Sequence, residues 1–143
     1  MPYNFELQEI ALKIAWHYLG IPYRWGGDDP IKGFDCSGVF NEILQSVGLI
    51  RRYEDLTAQG IWDRFKDKKI DVPQEGALVF YGADDKHITH IEMCINNKLS
   101  IGASGGGSKT LTLEDAILQN AFIKIRPIQS RKDIVGFIDP FKE

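Results

Sequence analysis

The chain has 143 residues, 43% of them hydrophobic and 26% charged, with a formal net charge of −3. That length and apolar share suit one globular domain, residues 1–143, with a core of its own. Lys and Arg are scattered and form no basic stripe of the kind nucleic-acid binding relies on, which excludes nucleic acid as an expected partner. The two cysteines, Cys36 and Cys94, have neither zinc-site spacing nor the density of a disulfide-stapled scaffold. No carboxylate pair or histidine cluster suggests a metal, and no cofactor is expected.

In chain order, Leu7, Ile10, Ala11, Ile14, Ala15, Tyr18 and Leu19 recur at three- and four-residue spacing. They predict an amphipathic first helix stopped by Gly20, with His17 off the stripe. Glu6, Glu9 and Lys13 interrupt this stretch, so it reads neither as a signal peptide nor as a membrane span, and synthesis in the cytoplasm is expected. A loop rich in Gly, Pro and Asp follows, Ile21 to Phe34. Val39, Phe40, Ile43, Leu44 and Val47 then stripe a buried second helix that starts at Cys36 and stops at Gly48. A polar helical region, Thr57 to Phe65, leads to Pro73. Ala77 to Tyr81, Ile88 to Ile95 and Leu99 to Ala103 read as successive strands, the last two joined in a hairpin around Asn96 and Asn97. Thr112, with Asp115 three residues on, predicts a capping box and a short helix to Asn120. Phe122 to Pro127 is a further strand, and Ile134 to Ile138 is expected to pair at an edge. Helices first and strands afterwards define an α+β fold, with N-terminal helices packed on an antiparallel β-sheet.

A thiol is a nucleophile only as thiolate, and a helix N-terminus beside a histidine lowers its pKa. Cys36 has the helix start. Asp35, Ser37 and Gly38 surround it with small or polar neighbours, a setting that favours an approachable sulfur over a buried structural cysteine. Of the three histidines, His90 alone begins a strand after a polar loop, Asp84 to Thr89, and is the candidate base. His17 and His87 read as exposed, and Cys94 as a core residue.

LGIPYRWGG at Leu19 to Gly27, FDCSGVF at Phe34 to Phe40 and THIEMCI at Thr89 to Ile95 occur in that order. In this the sequence resembles the NlpC-type cell-wall peptidases, papain-like enzymes that cut peptidoglycan stem peptides. The resemblance spans most of the chain. It implies a papain-like fold, Cys36 as nucleophile, His90 as base, and Tyr23 as a hydroxyl donor near the oxyanion, although simple packing explains a Tyr23 ring equally well. Asp35 and Ser37 match substrate-binding positions, where a carboxylate beside the nucleophile can hold the free amine of a short peptide. Trp25, beside Tyr23, is expected to wall the cleft.

Two positions depart from the family pattern. Ala77 replaces an acid that is not catalytic, and Gly102 stands where the third catalytic residue, usually His or another polar group, is expected. If the hairpin loop takes three residues, Asn96 to Lys98, then His90, Glu92, Ser100, Gly102 and Ser104 share one face. Glu92 would then reach across the space left by Gly102 to the imidazole. A two-residue turn would shift the register and leave Glu92 solvated on the other face. The stretch Gly102 to Thr110 lacks the Gly-Lys-Ser/Thr order of a phosphate loop and reads as a cleft rim, with Ser104 lining the site.

The resemblance implies a cysteine peptidase or amidase acting on stem peptides through a thioester, at the cell wall. Its route there would be a phage particle, a lysis system or a secretion apparatus. The alternatives are a thiol acyltransferase or deamidase on another substrate, or an inactive phage-tail or binding module, the last motivated by Gly102.

Overall fold

The computed structural model describes residues 4–142; Met1 to Tyr3 and Glu143, which the expected domain includes, lie outside the described residues. Helix α1 spans Phe5–His17, and the Asn4 side chain caps it by accepting the Leu7 N–H at 3.1 Å. Helix α2 spans Cys36–Ser46 and buries the expected stripe, Val39, Phe40, Ile43 and Leu44. Helix α3, Ala58–Phe65, is capped by Thr57, which accepts from Gly60.

Between α1 and α2 the loop folds into a two-residue-per-strand hairpin, β1 (Asp28–Asp29) with β2 (Gly33–Phe34). Strands this short leave no periodic signal in a sequence. The loop is pressed onto the first turn of α2: the Gly27 carbonyl accepts the Asp35 N–H at 3.0 Å and occupies the place a Cβ on Gly38 would need. Both motif glycines are therefore sites of close backbone approach.

The remaining strands are β3 (Lys69–Ile70), β4 (Leu78–Gly82), β5 (Ile88–Cys94), β6 (Leu99–Ser104), β7 (Phe122–Pro127) and β8 (Ile134–Ile138). Helix α4, Leu113–Gln119, precedes β7 and opens with the expected capping box between Thr112 and Asp115. The sheet order is β3-β8-β4-β5-β6-β7, antiparallel throughout. β8 is thus not the edge strand expected from the sequence: β3 covers it on one side and β4 on the other. The outer side of β7 is bonded by the segment after α1, through Gly20 N–H to the Ile123 carbonyl at 2.8 Å and Tyr23 N–H to the Ala121 carbonyl at 2.9 Å.

Strand alternation divides the core. Leu78, Phe80, Ile91, Met93 and Ile101 face the helices, each worth about 1.5–3 kcal/mol on burial. Ala77, Val79, Tyr81 and Cys94 cluster on the other face with Ile128. Cys94 is a free, buried core residue. Among the described residues no helix is long and apolar enough to cross a membrane, and no group of three or more metal-ligating side chains occurs.

Candidate active site

Cys36 is the first residue of α2, and Asp35 is its N-cap. The Asp35 carboxylate accepts the Gly38 N–H at 2.7 Å, the Gly26 N–H at 3.2 Å and the Ser37 hydroxyl at 3.4 Å. The Cys36 thiol donates to the Thr89 carbonyl at 3.8 Å, which ties the helix start to the residue before His90. Cys36 and His90 open onto one cavity of about 220 Å³, together with Tyr23, Trp25, Ser104, Arg126, Arg131 and the glycine run 105–107.

The helix start does not prevail in setting the thiol's pKa. Burial, and after it the Asp35 charge, push Cys36 up to about 11, against smaller opposite effects of backbone N–H groups. Sequence reasoning weighed the helix terminus but had no measure of burial, and burial dominates here. At neutral pH the thiol is the resting form, so a base must take its proton as it attacks. Burial also raises the Asp35 carboxyl and the Tyr23 phenol above their ordinary values.

His90 is mostly buried on β5, directly opposite Tyr81 of β4, whose ring lies 5.6 Å away between centroids. Its Nε2 is 2.7 Å from Glu92 Oε2. The β5–β6 hairpin pairs Met93 with Ile101 and Cys94 with Ser100, the register of a three-residue loop, which sets Glu92 beside Gly102. A Cβ on Gly102 would stand 2.7 Å from Glu92 Cγ, so the glutamate side chain occupies the room the glycine leaves. The Ser100 hydroxyl donates to Glu92 Oε1 at 2.7 Å, and Arg126 Nη2 donates to Oε2 at 2.7 Å.

Glu92 is fully buried, which works against its charge. The hydrogen bond and charge of His90, then Ser100 and Arg126, outweigh that burial and hold the carboxyl down at about 2. An ionised carboxylate can only accept, so His90 donates to it from Nε2, and Nδ1 is the ring nitrogen left to exchange a proton with the thiol.

Of the residues singled out from the sequence, Cys36, His90, Tyr23, Trp25 and Ser104 line the cavity, with Glu92 behind His90. Asp35 and Ser37 do not line it; the Asp35 carboxylate is turned to the helix start and the loop. Sequence reasoning missed Arg126 and Arg131. Arg131 lies over the Tyr81 ring at 5.0 Å and pairs with Asp133 at 2.7 Å. Arg126 stands opposite Ser100 on β7. Extending the parity argument from β6 to β7 would have found it.

Fold and site together define a papain-like α+β domain, with a cysteine at a helix start and a histidine on the adjoining sheet sharing one cleft. The chain belongs to the NlpC/P60 family, whose model matches residues 20–127. It is 29% identical over 106 residues to the bifunctional muramidase/DL-endopeptidase CwlT of Bacillus subtilis strain 168, covering 73% of this chain and 31% of CwlT. It is 30% identical over 102 residues to dipeptidyl-peptidase 6 of Lysinibacillus sphaericus, covering 71% and 34%. The chain thus spans about a third of the length of these two relatives. A solved structure of an NLP/P60-family protein similar to lipoprotein, from Staphylococcus aureus subsp. aureus Mu50, shares the fold at a TM-score of 0.71 and 21% identity, covering 100% of this chain and 44% of that one.

Proposed function

We propose that the protein is a cysteine peptidase that hydrolyses peptide bonds in peptidoglycan stem peptides, with Cys36 as nucleophile, His90 as general base and acid, and Glu92 as the group that orients His90. The observation that carries this reading is the opening of Cys36 and His90 onto one cavity while Glu92 engages Nε2, so that Nδ1 is the ring nitrogen left for the thiol proton. Membership of the family, and the DL-endopeptidase named among its relatives, supports the substrate class.

Cys36 Sγ attacks the amide carbonyl as its proton passes to His90 Nδ1. A thiol resting near 11 makes this transfer part of the attack rather than a prior equilibrium. The free N–H at the start of α2 and the Tyr23 hydroxyl stabilise the oxyanion. His90 gives the proton to the departing amine, the C–N bond breaks, and a thioester remains. Water, deprotonated by His90, then adds to the thioester; the acid leaves and the thiol is restored. The family resemblance assigns Asp35 and Ser37 to the free amine of a short peptide, but here neither lines the cavity and the Asp35 carboxylate caps α2 and holds the loop, so no substrate contact is given to them.

Incubating purified muropeptides with wild type and Cys36→Ala, and identifying products by mass spectrometry, tests this. A new amino and carboxyl terminus that depends on Cys36 is the expected result. Transfer products in place of free acid would make it an acyltransferase, and identical spectra from both proteins would leave a binding module.

A further inference from the structure

Glu92 lies on β5, yet its carboxylate reaches over β6 to a guanidinium on β7. Two features make the span possible: Gly102 leaves room for the glutamate stem, and the β6–β7 register sets Arg126 opposite Ser100. The same oxygen, Oε2, meets both His90 Nε2 and Arg126 Nη2, each at 2.7 Å. We infer that Arg126 is a positioning residue, which clamps Glu92 over Gly102 so that the carboxylate can hold His90 with Nδ1 turned to the thiol. This inference rests on the reading of Cys36 and His90 as nucleophile and base.

A carboxylate fully removed from water needs a compensating charge. With the thiol protonated at rest, Arg126 is the one group bonded to Glu92 whose charge does not titrate. Ser100 fixes the other oxygen, so the carboxylate is held at both ends and cannot rotate away from the imidazole. Arg126 Nε, in turn, is buried with no hydrogen-bond partner. The guanidinium nitrogen that meets Glu92 is Nη2.

Arg126 also lines the cavity, so a direct hold on substrate is the rival account. The test compares Arg126→Met, Arg126→Lys, Glu92→Gln and the Arg126→Met/Glu92→Gln double variant. Its readouts are kcat and KM on muropeptides, the rate of Cys36 alkylation by iodoacetamide, and the His90 tautomer by ¹⁵N NMR. Arg126→Met is expected to lower kcat about tenfold, with KM changed less than about twofold. It should also slow alkylation and reduce the Nε2-protonated tautomer, while Arg126→Lys recovers most of the loss. The double variant should be no slower than Glu92→Gln alone, because both changes break one linkage. Wild-type kcat in Arg126→Met, a loss confined to KM, or penalties that multiply in the double variant would each overturn the inference. Should Arg126→Met not fold, the double variant, which removes both charges, and Arg126→Lys carry the test. Alkylation and NMR need no substrate, so failure to cleave muropeptides would count against the proposed function and leave the role of Arg126 measurable.

Discussion

Replacing Gly102 with alanine should change stability in opposite directions according to what stands at position 92. A glycine in a strand interior costs about 0.5–1 kcal/mol relative to alanine, so on backbone grounds alone Gly102→Ala would stabilise β6. The new Cβ would lie 2.7 Å from Glu92 Cγ, 3.2 Å from its Cβ and 3.3 Å from its Cδ. No ordinary contact is that close, and the glutamate cannot swing aside without loosening its bonds to His90, Ser100 and Arg126. Overpacking of this kind costs about 1–3 kcal/mol. The sum is a net loss of about 0–2.5 kcal/mol in the wild-type background. With Glu92→Ala in place the space is empty and the same Gly102→Ala change should stabilise by about 0.5–1 kcal/mol. Urea unfolding of the four proteins at neutral pH reads this cycle, and any cost of leaving Arg126 without its partner cancels between the two Glu92→Ala arms. If Gly102→Ala stabilises the wild type, or shifts both backgrounds alike, Glu92 is not what keeps position 102 bare.

Asp35→Asn keeps the helix cap, because asparagine accepts the Gly38 N–H as aspartate does, and removes a charge that raises the thiol. The alkylation midpoint of Cys36 should therefore move down from about 11, and an unchanged or higher midpoint refutes the effect. Glu92 titrates at about 2 in the folded protein, below its ordinary 4.5. A depressed carboxylate contributes stability that is complete above the ordinary value and lost as pH falls through the folded one. The advantage of wild type over Glu92→Gln should therefore shrink between about pH 4.5 and 2, and a constant difference across that window would refute the ionised carboxylate. Gly106→Ala would drive a Cβ into the Tyr23 ring, 2.5 Å from Cγ, and should lower kcat about tenfold. Added to Tyr23→Phe it should cost little more, and an equal loss in that background would separate Gly106 from the Tyr23 hydroxyl.

Local patterns carried most of the helices and strands. Spacing at three and four residues marked α2 because its buried face is nearly continuous from Val39 to Leu44. The β5–β6 register turned on one loop: Asn96 Oδ1 accepts the N–H groups of both Lys98 and Leu99 at 2.8 Å, and this side-chain turn selects three residues over two. That single bond pattern brings Glu92 to the face of His90. What the sequence hid depends on partners far along the chain. β8 lies inside the sheet because a two-residue β3, too short for any periodicity, pairs beyond it. The raised thiol comes from the packing around Cys36, which no spacing encodes. Arg126 lies 34 residues after Glu92 and meets it only through two successive strand registers.

The segment that bonds along the outer side of β7 also carries Tyr23. An open outermost strand invites another chain to add itself, and natural sheets guard against this by covering such strands. Here the guard and a wall of the cleft are one piece of backbone. A variant that frees residues 20–23 from β7 would thus do two things at once: displace the phenol from the cleft and expose strand surface on which copies of the chain could stack. Loss of turnover and onset of aggregation should therefore appear together in variants of this segment, whereas changes at Cys36 or His90 would silence the cleft and leave the protein dispersed.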